Sequence, residues 1–171
     1  MNSIGVDGAK AIAEALKVNP VLTSLDLAGS PFSSGIGAEG AKAIAEALKV
    51  NPVLTSLDLQ WNSIGVDGAK AIAEALKVNS VLTNLDLSRN YRIGVDGAKA
   101  IAEALKVNPV LNNLVLNFNA IGDDGAKAIA EALKVNPVLT KLHLEYNNLG
   151  EAGKKAVRDA VKGRSGFVLE L

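Results

Sequence analysis

The sequence predicts an α/β solenoid, a right-handed stack of short parallel strands on a concave face and α-helices on a convex face. Three observations predict it. A unit reading Gly-Ala-Lys-Ala-Ile-Ala-Glu-Ala-Leu-Lys-Val-Asn occurs five times, starting at Gly8, Gly40, Gly68, Gly97 and Gly125. Ahead of the later copies runs a second pattern, Leu-x-x-Leu-x-Leu, whose last three residues alternate as a strand with one buried face does. A strand, a helix and the next strand in one sheet give a parallel pair with a right-handed crossover.

The strand pattern falls on Leu22/Leu25/Leu27, Leu54/Leu57/Leu59, Leu82/Leu85/Leu87, Leu111/Leu114/Leu116 and Leu139/Leu142/Leu144. In the helical half, Ala69, Ile72 and Leu76 share one face and Lys70, Glu74 and Lys77 the other. Asp7, Asp67, Asp96 and Asp124 stand where a helix start is expected, as N-terminal acceptors or as charges meeting the positive helix end. Asn19, Asn51, Asn108 and Asn136, each followed by Pro, read as helix stops in a left-handed terminal conformation; Ser80 replaces the Pro after Asn79. Strands stack ~4.8 Å apart and helices need ~8–10 Å, so the stack must curve.

The whole chain, residues 1–171, reads as a single domain of about six repeats of roughly 28 residues. The first repeat lacks its strand, and residues 166–171 supply a terminal strand in which Leu169 and Leu171 take the places of Leu142 and Leu144. Strand Leu25–Leu27 is then expected at an uncapped N-terminal edge, a route to self-association, and the chain reads as a fragment of a longer protein.

Lys plus Arg and Asp plus Glu both number 18, so net charge argues for neither nucleic acid nor an anionic membrane. The chain has no Cys and no Asn-X-Ser/Thr sequon, and Met1-Asn2-Ser3-Ile4-Gly5 does not open a signal peptide. A cytoplasmic setting is expected, and no apolar stretch is long enough to span a membrane.

Taken together, Leu-x-x-Leu-x-Leu-x-x-Asn-x-Ile-Gly and a full helix in a unit of about 28 residues resemble the ribonuclease-inhibitor-like class of leucine-rich repeats. That class includes ribonuclease inhibitor, Ran GTPase-activating protein and the repeat region of NOD-like receptors. The resemblance implies a leucine-rich-repeat solenoid (horseshoe segment). It also implies a buried side-chain ladder at Asn2, Asn62, Asn90, Asn119 and Asn147 that satisfies loop backbone groups. Ser30 departs from that pattern, which interrupts the expected ladder around residues 30–36. The loop residues that Ran-directed members use have no counterpart here, and neither do the Cys-bearing repeats of ribonuclease inhibitor.

Two surfaces stand out. The outward strand residues include Asp26, Asp58, Gln60, Asp86, Asn113, Asn117, His143 and Glu145, with Asp26, Asp58 and Asp86 aligned as an acidic column. They read either as a groove for a basic or hydrogen-bonding partner or as a face kept charged against aggregation. Trp61, Arg89, Phe118 and Tyr146 share one position in successive repeats, just before the ladder Asn. They form a rim with the composition of a binding hot spot or pack over the loops beside the strands.

Enzymatic signals are weak. Gly35-Ile36-Gly37-Ala38-Glu39-Gly40 spells a dinucleotide fingerprint, but Gly37 and Gly40 are unit glycines and only Gly35 is new. His143 is the sole His, and without Cys it cannot build the usual zinc set. No catalytic residue, cofactor or metal site is expected. The expected function is protein–protein interaction through the concave face and rim, in a larger intracellular receptor or scaffold. The alternatives are a structural or consensus-type solenoid without a ligand and, by family analogy, a small-GTPase regulator.

Overall fold

The computed structural model describes residues 4–32 and 35–171. Among them, helices and strands alternate from end to end. The order is α1 (Gly5–Val18), β1 (Ser24–Asp26), α2 (Gly37–Leu48), β2 (Ser56–Asp58), α3 (Gly65–Val78) and β3 (Asn84–Asp86). Then come α4 (Gly94–Leu105), β4 (Asn113–Val115), α5 (Gly122–Val135), β5 (Lys141–His143), α6 (Glu151–Ala160) and β6 (Val168–Glu170). The strands form one parallel sheet in sequence order, β1 to β6. The register aligns Leu25, Leu57, Leu85, Leu114, Leu142 and Leu169 as one column.

The core is the space between sheet and helices. In the repeat spanning α3 and β3, Ile72, Leu76, Leu82, Leu85 and Leu87 are essentially inaccessible to solvent. Each such side chain contributes ~1.5–3 kcal/mol. Ala and Gly fill the seams between helices and let them approach closely. A Cβ on Gly68 would stand 2.9 Å from Ile64 Cβ and 3.0 Å from Ala41 Cβ of the preceding helix. The same seam explains Gly40, whose added Cβ would meet Ile36 at 2.7 Å and Ala9 at 3.0 Å. Gly35 has φ +64°, and its Cβ would strike the Asn62 backbone at 2.6 Å. Gly35 and Gly40 of the fingerprint-like run are thus packing residues of the solenoid, and Gly37, at φ +62° with open space around it, is its helix-entry glycine.

Helix starts differ from expectation. The helices begin two residues before Asp7, Asp67, Asp96 and Asp124, which lie inside the first turn. The residues before the helices are Ile4, Ile64, Ile93 and Ile121, with no side-chain cap. The acidic groups therefore act through charge on the positive helix end. The reason is a glycine with positive φ at the helix entry, such as Gly65 at +58°, which admits the turn earlier.

Helix ends differ as well. Asn19, Asn79 and Asn136 are extended, with φ of −83°, −75° and −93°, not left-handed. Their side chains supply the stop. Asn79 Oδ1 accepts from the backbone N–H of Val81 (3.0 Å) and Leu82 (2.7 Å). Asn79 Nδ2 donates to the Leu48 carbonyl one repeat back, at 2.7 Å. Asn51, Asn108 and Asn136 repeat this on Leu16, Leu76 and Leu105. This Asn ladder tethers each helix end to the previous one.

The ladder implied by the resemblance is present at Asn62, Asn90, Asn119 and Asn147, all buried; Asn2 lies outside the described residues. Backbone N–H groups of Asn62, Asn90 and Asn119 donate to Oδ1 of Asn90, Asn119 and Asn147, at 2.9, 3.0 and 2.8 Å. Each Nδ2 reaches back to a carbonyl of the preceding repeat, as Asn90 does to Leu59 at 2.8 Å. The expected break at Ser30 is bridged from the next repeat. Asn62 Nδ2 donates to the Leu27 carbonyl at 2.8 Å, and Ile36 N–H donates to Asn62 Oδ1 at 3.2 Å.

A candidate protein-binding surface

The strands are three residues long, and a side chain closes each of the first three. Asp26, Asp58 and Asp86 accept from the N–H of Ala28, Gln60 and Ser88 at 2.8, 2.8 and 2.7 Å. These turns hold the carboxylates on the concave face, where strand pairing places Asp26 beside Asp58 and Asp58 beside Asp86. Burial pushes the Asp58 carboxyl above its ordinary value; the Gln60 N–H opposes this, while Asp86 and Asp26 add to it. Beyond Asp86 the column continues through Val115, His143 and Glu170.

The next row holds Gln60, Asn117 and Glu145, all half-buried. Asn113 lies on β4 beside Asn84 and Lys141. Oδ1 of Asn113, Oδ1 of Asn117 and Oε2 of Glu145 are buried and accept no hydrogen bond among the described residues. All three are acceptors on the concave side. A shallow depression of about 230 Å³ is lined by Asp58, Asn84, Asp86, Asn113 and Val115.

The rim forms a continuous stack. The Arg89 guanidinium carbon lies 4.9 Å from the Trp61 ring centroid and 4.0 Å from that of Phe118. Phe118 stacks on Tyr146 with centroids 4.2 Å apart and planes at 12°. Trp61, Arg89, Phe118 and Tyr146 all have φ between 57° and 59°. That left-handed backbone turns four long side chains out of the strand line at a repeated conformational cost. Trp61, Arg89 and Phe118 are half-buried, whereas Tyr146 is 72% exposed.

Two participants escape the sequence pattern. Tyr91 packs edge-on against Trp61 at 5.4 Å and, with Arg92, Phe118 and Tyr146, lines a cleft of about 340 Å³ beside the rim. It sits in the one-residue insertion of its repeat, which is the only hint of it in the sequence. Glu170 joins His143 and Glu145 only through pairing of β5 and β6.

A leucine-rich-repeat family model matches residues 18–45, 50–73, 78–102, 107–130 and 135–157. The chain belongs to the leucine-rich-repeat family. Among solved structures, this leucine-rich-repeat chain is similar to leiomodin-1 actin-binding site 2, with TM-score 0.72 and 26% identity over 94% of this chain and 89% of that one. It is also similar in fold to the tropomodulin C-terminal domain of Caenorhabditis elegans, with TM-score 0.70 and 12% identity over 90% and 91% of the two chains. A comparison with curated protein sequences found no match. No helix among the described residues is long and apolar enough to cross a membrane.

Proposed function

We propose that this chain is a protein-binding module, without catalysis of its own, that takes donor-bearing side chains of its partner on the concave face and an apolar contact on the rim. The observation that carries the reading is the pair of unpaired buried acceptors at Asn113 and Asn117. A buried polar group left unsatisfied costs ~1–3 kcal/mol. Lys, Arg or amide donors of a bound protein recover that cost, and the column of Asp26, Asp58 and Asp86 adds the matching charge. The stacked rim supplies rigid aromatic area beside this polar floor, the arrangement in which hot spots concentrate.

Actin is the first partner to test, because the similar leiomodin-1 structure is named as an actin-binding site. A full helix of 12 or 14 residues in each of α2 to α5 supports placing the repeats in the ribonuclease-inhibitor-like class. Titration of the chain with monomeric actin by calorimetry is expected to give saturable binding heat that weakens with salt, since exposed charge pairs are screened. Absence of binding at low salt would remove actin as the partner.

A further inference from the structure

We propose that His143, Glu145 and Glu170 form a binding site for a divalent transition-metal ion of the zinc type, where β5 meets β6 on the concave face. His143 and Glu170 are cross-strand partners, and Glu145 lies two residues beyond His143. His143 Nδ1 stands 3.7 Å from Glu170 Oε2 and 4.0 Å from Glu145 Oε2. One ligand atom from each residue lies within 4.8 Å of the other two. Zinc binds imidazole nitrogen and carboxylate oxygen at ~2.0–2.2 Å, which puts neighbouring ligand atoms ~3–3.5 Å apart. Small side-chain rotations close the site.

An independent observation points to an occupant. Glu145 Oε2 is buried and has no hydrogen-bond partner among the described residues. A carboxylate oxygen in that position is under-satisfied, and a cation between it and the imidazole would complete it. One nitrogen and two oxygens select a borderline ion such as zinc over magnesium or calcium, which prefer oxygen alone. Three protein ligands leave a position open.

The site also has a structural consequence. β6 is only three residues long, with Val168 and Glu170 exposed, and Leu144 N–H donates to the Glu170 carbonyl at 2.8 Å. A metal held by both strands fastens the end of the sheet. The inference stands on the ligand geometry and does not depend on the partner reading.

The test uses the full chain and zinc chloride. His143 is the sole His, so one imidazole signal in the NMR spectrum reports the site directly. The expected result is one zinc per chain, a shift of that signal and slower exchange of the Leu144 amide. His143→Ala and Glu170→Gln should each weaken binding at least about tenfold, with metal-free melting curves preserved for Glu170→Gln. Zinc binding that survives in His143→Ala, or magnesium binding as tight as zinc, would overturn the proposal, as would no zinc binding by the unmodified chain.

Discussion

The Arg89 guanidinium lies over the ring of Phe118, one repeat away, with its carbon 4.0 Å from the ring centroid. With Trp61 on its other side at 4.9 Å, Arg89 joins rings that would otherwise be separated by a repeat. Arg89→Ala should lower the unfolding free energy by ~0.5–2 kcal/mol. Arg89→Lys should recover less than half of that, because an ammonium cannot stack as a plane. Chemical denaturation of the two variants measures the difference.

Asn90 serves three repeats at once. It accepts from Asn62 N–H, donates to the Leu59 and Leu87 carbonyls, and its own N–H is held by Asn119. Asn90→Ala leaves buried donors and acceptors without partners, and a loss of ~2–5 kcal/mol follows. Asn90→Asp keeps the acceptor but removes the donor and buries charge, so it should not rescue. Hydrogen exchange should show faster opening at the loops of residues 60–64 and 88–93 before the terminal repeats respond.

Two glycines of α4 should fail for different reasons. A Cβ on Gly97 would meet Ile93 Cγ2 at 2.6 Å and Ala69 Cβ at 3.1 Å. Gly97→Ala therefore pries α4 from α3, a ~1–3 kcal/mol overpacking effect. Gly94 has φ +63° and open space around it, so Gly94→Ala costs only ~1–2 kcal/mol of backbone strain. Ile93→Leu, which carries no second γ-carbon on Cβ, should partly rescue Gly97→Ala and leave Gly94→Ala unchanged; thermal melts of the double variants decide this.

The raised Asp58 carboxyl makes a pH prediction. Its folded value lies above the ordinary 3.8, chiefly through burial. Between the two values the folded chain binds more protons than the unfolded one, so stability falls as pH rises through that window. Above it the charged Asp58 disfavours the fold in full. Asp58→Asn keeps the acceptor for Gln60 N–H and removes that charge. It should melt higher than the unmodified chain at pH 7, with the gain shrinking as pH falls toward 3.8. A gain that grows on acidification contradicts this account of the carboxylate.

The repeat made most of the fold legible. Leu57, Leu85 and Leu114 announce their strands by alternation, and the inner asparagines announce their ladder by resemblance. The second ladder was hidden because Asn79 beside a helix end suggests a local cap, whereas its amide donates to a carbonyl 31 residues earlier. The early helix starts were hidden because a positive-φ Gly65 carries no side-chain signal of its own. For the surface, common repeat position placed Trp61, Arg89, Phe118 and Tyr146 together. Unpaired acceptors at Asn113 and Asn117, and the approach of Glu170 to His143, depend on side-chain geometry across strands that no spacing encodes.

The most direct measurement of the central claim is the calorimetric affinity for monomeric actin of four chains. They are the unmodified chain, Asp58→Asn/Asp86→Asn, Trp61→Ala/Phe118→Ala, and a convex-face control, Lys70→Ala/Lys99→Ala, whose side chains are exposed on α3 and α4. The account predicts that the concave and rim variants each weaken binding by at least about tenfold, or ~1.4 kcal/mol. The control and the unmodified chain should bind alike. Unchanged affinity of the concave and rim variants, or a loss confined to the convex-face control, would contradict it.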